Sequence, residues 1–368
     1  MVKPPPDGVI GRVALARPGM VVNGDERTPA FRGSDGKVSC VMGFLRREWY
    51  TIAIVGMVVL ASFLPISGKG AEVFSIATDL AIALLFFLHG ARLSRDVVIA
   101  GATHWRLHLF VLATTFVLFP ILGLLVLLVP NGLEPTLVTG LLFLCVLPST
   151  VQSSIAFTSI AGGNVPAAVC SASASNILGM FLTPALVALL FGARGGFSAD
   201  ALESILLQLL VPFVAGQLVQ PWLGAWFRRH RVLTSIVDRG SILMVVYSAF
   251  SEAVIGGLWH KVSIEALLTV AVIDAILLAA VLVFTYYGSG WLGFGRADRI
   301  TITFCGSKKS LASGAPMGSV IFAGQDVGAI VLPLMIFHQI QLMTCAVLAR
   351  RFAEAAKRGE ASTSPAGE

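Results

Sequence analysis

Phe304-Cys305-Gly306-Ser307-Lys308-Lys309-Ser310 sets two adjacent lysines among small residues in the middle of a stretch that otherwise reads as a membrane-spanning helix. Arg296 and Arg299 mark the polar start of that span, and Lys308 follows Arg299 by nine residues. At about 1.5 Å of rise per residue this is ~13 Å into a hydrocarbon layer about 30 Å thick, close to its middle. An ammonium group at that depth costs several kcal/mol even when it snorkels, so it is expected to face a polar or water-filled cavity and not lipid. A lysine in this position marks a functional site.

Composition places the same reading over the whole chain. Hydrophobic residues make up 56% and charged residues 12%, where a soluble domain carries about 25% charged residues, and mean hydropathy is +0.85. This is an integral membrane protein. Apolar runs of about 20 residues recur from Tyr50 to Ala349 and predict ten helices near 50–65, 74–90, 107–129, 135–161, 165–191, 205–227, 241–258, 264–291, 300–323 and 327–349. A membrane domain over 44–352 leaves a tail at 1–43 and another at 353–368. The first tail, with Pro4-Pro5-Pro6 and charges of both signs, lacks the apolar core of a signal peptide and reads as disordered and cytoplasmic. Met42, followed by Arg46 and Arg47, is an alternative start.

With the N-terminus inside, fifteen lysines and arginines fall on the inner side, against Lys69, Arg194 and Lys261 outside. The positive-inside rule then predicts both termini in the cytoplasm. The same short basic loops account for the net charge of +6 without a nucleic-acid partner. Cys40, Cys145, Cys170, Cys305 and Cys345 show no metal-ligand spacing, and four of them read as small buried hydrophobes. No cofactor or metal is expected. Phosphate-cradling loops, HExxH and GxSxG are absent, which argues against an enzyme.

Dividing the chain after Phe191 gives two halves of five spans, about 50–193 and 200–350, and an odd number per half requires the second to be inverted. The fourth span of each half is unusual. One contains Leu147-Pro148-Ser149-Thr150-Val151-Gln152-Ser153-Ser154 and the other the Gly306–Ser310 stretch. Pro148 lacks an amide donor, and glycine and small hydroxyl residues tolerate an unwound backbone, so both spans are expected to break at midmembrane. Broken helices there would offer termini to an anion and carbonyls to a cation. Asp79, Glu252 and Asp274 lie inside apolar segments and need a partner or a proton, and His338, with Gln339 and Gln341, stands where a proton could be shuttled. These are candidate countercharges or proton groups.

At these residues the chain resembles the bile acid:sodium symporter superfamily, and in particular its bacterial sodium/bile-acid-symporter-like branch. The carriers are Leu84–Gly90 as Leu-Leu-Phe-Phe-Leu-His-Gly, Leu147-Pro148-Ser149-Thr150, Asn176 to Pro184, Phe304 to Pro316 and Phe337-His338-Gln339-Ile340-Gln341, across about 44–353. The resemblance implies an all-α fold of ten spans in core and panel domains, with broken helices four and nine crossing in the core. It further implies substrate binding in a crevice between the domains and alternating access.

In the sodium-coupled members, the resemblance implies, cations bind beside the crossover through a Ser-Asn pair, hydroxyls of span five and a Glu-Val-Gly-Met-Gln-Asn stretch. Here the pair falls on Ser153 and Ser154, and span five offers Ser171, Ser173, Ser175 and Asn176, with the usual hydroxyl positions nearest Ala168 and Ala172. The glutamate falls on Phe304, the glycine matches Gly306, and Lys308 and Lys309 replace the two amides. Loss of that carboxylate counts against sodium coupling. The expected crossover set is Pro148, Ser149, Thr150, Gln152, Ser153, Ser154, Ser173, Asn176, Gly306, Ser307, Lys308, Lys309 and Ser310, with one lysine, Lys308 by preference, reaching Gln152, Ser153 or Ser154. A lysine there either supplies the missing cation's charge, in proton-coupled or uncoupled transport, or ties the crossover to Ser149, Thr150 and Gln152. The function expected is secondary transport of small organic anions by a chain for which a monomer suffices. The alternatives are a channel or a membrane protein affecting cation homeostasis.

Overall fold

The computed structural model describes residues 49–92, 104–128, 132–192 and 199–363. The tail read over 1–43 lies outside them, as do Arg46, Arg47, Arg95 and Arg194. The described residues form helices and short connections, with no strand among them. In chain order the helices are α1 (Trp49–Phe63), α2 (Lys69–Arg92), α3 (Trp105–Leu128), α4 (Pro135–Val146), α5 (Gln152–Ile160), α6 (Val165–Gly192) and α7 (Ala199–Arg229). There follow α8 (Arg231–Ile255), α9 (Leu258–Lys261), α10 (Ile264–Trp291), α11 (Arg296–Gly306), α12 (Leu311–Ile321) and α13 (Val327–Thr363).

Six segments, in α2, α3, α6, α8, α10 and α13, are long and apolar enough to cross a membrane. They are apolar around most of their circumference. Leu80, Leu189 and Ile276 are each more than 60% exposed, which suits lipid on one side and protein on the other.

The ends of these helices follow local chemistry. Pro135 opens α4, where a missing amide is harmless. Leu147 is extended before Pro148 and ends it, because proline excludes the helical conformation from its predecessor. Ser263 and Ser310 cap α10 and α12, their hydroxyls accepting from the amides of Ala266 and Ser313. Within α3, Thr114–Leu118 widens into a π-turn just before Pro120. There the Phe119 amide donates to the Thr114 carbonyl five residues back.

Two expected spans, 135–161 and 300–323, are each interrupted, at 147–151 and 307–310, at the proline and the small residues where a break was expected. Others are longer than hydropathy suggests. The span predicted to begin at 241 begins at Arg231, so Asp238 and Arg239 are helical. Arg92 meets Asp238 with both fork nitrogens, at 2.7 and 3.3 Å, which neutralises the charge that depresses hydropathy there. The last helix runs past Arg350 to Thr363.

One group of helices is built on α2, which packs along α7 and α8. Small residues make the α2–α7 contact close: a Cβ on Gly90 would strike the Phe213 carbonyl, and one on Gly216 the Phe87 carbonyl. The end of α1 joins this group through Tyr247 Oη, 2.8 Å from the Leu64 carbonyl, and through Trp259 Nε1, 3.0 Å from Ser62 Oγ. In the second group α4 packs on α13 and α3, α10 on α11 and α13, and α5 on α6 and α11. Helix α8 also reaches α12 and α13, where Gly328 lies against Ala253 and Ala249.

The reciprocal glycine contact gives a stability test. Gly216→Val should lower the stability of the detergent-purified protein by about 1–3 kcal/mol, the usual cost of overpacking. Gly56→Ala, at a helical glycine with open space around it, should be neutral or gain about 0.5–1 kcal/mol. Equal thermal unfolding of both variants and the parent would refute the close packing.

Candidate functional site

Interrupting a helix frees carbonyls, and each must find a donor when no water is at hand. The interruption at 147–151 frees those of Cys145, Val146, Leu147 and Pro148. Thr183 Oγ1 donates to Val146 at 2.8 Å, and the Ser310 amide donates to Pro148 at 2.9 Å. At the other interruption Ser149 Oγ donates to the Cys305 carbonyl at 2.6 Å, and Ser154 Oγ to that of Phe304 at 3.1 Å. The Ser149 amide is satisfied by Ser175 Oγ at 3.1 Å. The two breaks therefore serve as each other's hydrogen-bond partners.

Lys309 closes the account. Its Nζ donates to the carbonyls of Cys145 and Leu147, at 2.9 and 2.8 Å, and to that of Thr115 on α3 at 2.9 Å. The third acceptor is free for a definite reason. In the π-turn the donor due to Thr115 would be the amide five residues on, and that residue is Pro120. Three donors thus meet three carbonyls orphaned by two prolines. The ammonium is fully buried, 4.0 Å from the centre of the Phe119 ring. The backbone of Lys309 is held as firmly. Its amide donates to Gln341 Oε1 at 2.9 Å and its carbonyl accepts from Gln341 Nε2 at 2.8 Å. Gln341 Nε2 also reaches His338 Nδ1 at 2.9 Å, which makes that nitrogen the acceptor.

Lys308 is different. It too is fully buried, yet among the described residues its Nζ has no hydrogen-bond partner. It lies 3.9 Å from the centre of the Phe157 ring and 5.6 Å from that of Phe304, so aromatic faces are its main electrostatic support.

Most of the expected site residues converge here. Thr150 Oγ1 lies 2.7 Å from Ser153 Oγ and 3.1 Å from Ser154 Oγ. Ser307 Oγ donates to Thr303 O at 2.6 Å, and Gly306 lies so close to Thr285 that a Cβ would crowd it, with Thr114 in ordinary contact. Asn176 accepts from Ser313 Oγ at 2.7 Å and so ties α6 to α12. Gln152, exposed, and Ser173, half-buried, take no side-chain part in the network among the described residues. The lysine expectation needs correction: Lys309, and not Lys308, reaches across, and it reaches the carbonyls of 145 and 147 instead of Gln152, Ser153 or Ser154. The reason is that Gln152–Ser154 already belong to α5. The orphaned acceptors lie before them.

Of the candidate acidic groups, Asp79 and Glu252 are exposed on the helix exteriors and stand apart from the crossover. Asp274 is fully buried with neither oxygen bonded among the described residues. Sequence reasoning missed Thr115, Phe119 and Phe157. The signal for the first was present in Pro120, a midspan proline like Pro148. Cys145, Cys170, Cys305 and Cys345 are buried and unbonded to one another.

Helices broken at membrane depth around exposed backbone are a construction of secondary transporters. The chain belongs to the SBF-like CPA transporter family, which matches it over residues 48–354. It is 60% identical over 307 residues to "Uncharacterized protein PA2026" of Pseudomonas aeruginosa, covering 83% of this chain and 92% of that protein. It is 55% identical over 305 residues to "Putative symporter YfeH" of Escherichia coli, covering 82% and 92%. With the rat protein named "Sodium/bile acid cotransporter 7" it shares 29% identity over 312 residues, 83% of this chain and 92% of the relative. The chain is therefore a membrane transporter of the bile acid:sodium symporter type and not an enzyme.

The two lysines should respond oppositely to removal of charge. Lys309→Met strands three buried carbonyls and should cost at least about 2–3 kcal/mol in detergent unfolding. Lys308→Met removes an unpartnered ammonium from an aromatic pocket and should be within about 1 kcal/mol of the parent. A destabilised Lys308→Met beside an unperturbed Lys309→Met would contradict this assignment.

Proposed function

We propose that the chain is a secondary active transporter of small organic anions, working by alternating access, in which the tethered ammonium of Lys309 stands in for a bound sodium ion. The observation that carries this reading is the sharing of one ammonium by the carbonyls of Thr115, Cys145 and Leu147. Carbonyls presented by broken helices are what a transported cation would bind. Here they are occupied by a group that cannot leave. No acidic side chain hydrogen-bonds to Lys309 among the described residues, so the cage has no spare negative charge for a second cation. The sodium in the name of the rat relative is accordingly not carried over. Coupling, where present, is to protons, with Asp274 as the fully buried carboxyl among the described residues.

In this proposal the six long segments, the interrupted pairs α4–α5 and α11–α12, and the apolar helices α1 and α7 make ten passes in two inverted halves. Both interruptions then occupy the fourth pass of their half. The two crossing breaks belong to a core, and α1, α2, α7 and α8 to a panel that moves against it. The protein lies in a bacterial inner membrane with both termini inside, as its basic loops direct. Lys309 holds the crossover in place through the cycle. Lys308, whose ammonium has no hydrogen-bond partner among the described residues, supplies the positive charge for the anion.

Uptake of candidate organic anions into proteoliposomes tests this. A sodium gradient should leave uptake almost unchanged. Lys308→Gln should remain folded and lose about 10–100-fold in uptake, the value of a charge-assisted hydrogen bond to the substrate. Steep, saturable sodium dependence would overturn the fixed-cation reading, and full activity of Lys308→Gln would remove Lys308 from the substrate site.

A further inference from the structure

At one end of the molecule α10, α11 and α13 form a small recess, open to solvent and lined by Tyr286, Arg296, Arg299, Ile300 and Phe352. Its chemistry is cationic and only partly satisfied. Arg299 stacks 4.4 Å from the centre of the Tyr286 ring and donates through Nη2 to the Tyr286 carbonyl at 3.2 Å. Its Nε is buried without a partner among the described residues. Arg296 donates through Nη2 to the Phe352 carbonyl at 2.8 Å. Neither guanidinium meets a carboxylate among the described residues, because Asp298, between them in sequence, accepts instead from Asn164 Nδ2 at 2.8 Å. A guanidinium carries five N–H donors, so most of both forks is left over.

The depth of the recess identifies its ligand. Tyr287, 55% exposed, and Trp291, 87% exposed, lie at the same end of α10, and exposed amphipathic aromatics mark the headgroup level of a bilayer. Two arginine forks at that level, between helices that face lipid, are matched to the phosphate of a phospholipid. We infer that this recess binds the phosphate of an anionic phospholipid headgroup through Arg296 and Arg299. The site also adjoins the crossover. Tyr286 stacks on Phe352, 5.5 Å between centres at 16°, and Phe352 meets Phe304, 6.1 Å away at 72°. Phe304 is one of the two rings around Lys308. A bound headgroup would hold that file of rings in place.

Binding can be read without any transport assay. The full chain, stripped of lipid in detergent, is offered phosphatidylglycerol, phosphatidylcholine or inorganic phosphate, and lipid retention by native mass spectrometry is followed together with thermal unfolding. Phosphatidylglycerol should be retained in preference to phosphatidylcholine and should raise the unfolding temperature, whereas inorganic phosphate should do neither. Arg296→Gln, at an exposed position, should melt like the parent without lipid and lose about fivefold of the preference for phosphatidylglycerol, with Arg296→Gln/Arg299→Gln losing more. If the double variant does not fold, Arg299→Lys, which keeps the charge but not the fork, should show an intermediate loss. Equal retention of the two lipids by the parent, or an undiminished preference in Arg296→Gln, overturns the site. Full stabilisation by inorganic phosphate alone overturns the lipid assignment.

Discussion

Everything at the centre of this protein follows from the need to give every backbone carbonyl a donor where there is no water. Two helices stop and restart in the interior, and between them they release carbonyls at 145–148 and at 304–305. Each orphaned group costs several kcal/mol in hydrocarbon. The protein answers with short hydroxyls where an acceptor lies one side chain away, as for Ser149, Ser154 and Thr183. Where three acceptors face a common point it uses a single ammonium, that of Lys309. Only lysine combines the reach with three donors on one atom.

This accounting separates two residues that sequence alone treats as a pair. Adjacent helical residues point about 100° apart, and beyond the end of α11 the divergence persists. One lysine turns into the carbonyl cage and the other into a wall of phenylalanines. The first is a strut, saturated by its neighbours. The second is a buried charge held by ring faces and by little else, and such groups persist in membranes where they have work to do. The same logic singles out Asp274 from the three interior carboxylates suspected from hydropathy. Asp79 and Glu252 lie on apolar runs but face outward.

The breaks themselves were legible in the sequence because proline and clustered small hydroxyls announce them chemically. So were the two lysines, whose cost in lipid is too large to be accidental. The identity of the bridging lysine was not legible, since it depends on which carbonyls the restart at Gln152 leaves unpaired. Neither was the part played by Thr115. Pro120 was visible, but its effect passes through a π-turn, and hydropathy does not distinguish one helical pitch from another. Helix α8 was shortened by its charges because the Arg92–Asp238 pair is a tertiary fact that a window along the chain does not see.

The π-turn at Thr114–Leu118 has a further effect on the geometry of α3. A π-turn is equivalent to one residue inserted into an α-helix, and it advances the phase of everything beyond it by about 100°. The two halves of α3 accordingly address different neighbours: Trp105–Ala113 packs on α6 and α11, and Phe119–Leu128 on α4 and α10. One continuous rod thereby acts as a shaft with two keyways, set at different angles. The joint between them is the turn that delivers the Thr115 carbonyl to Lys309. The third acceptor of the cage therefore sits where the two halves of α3 change partners.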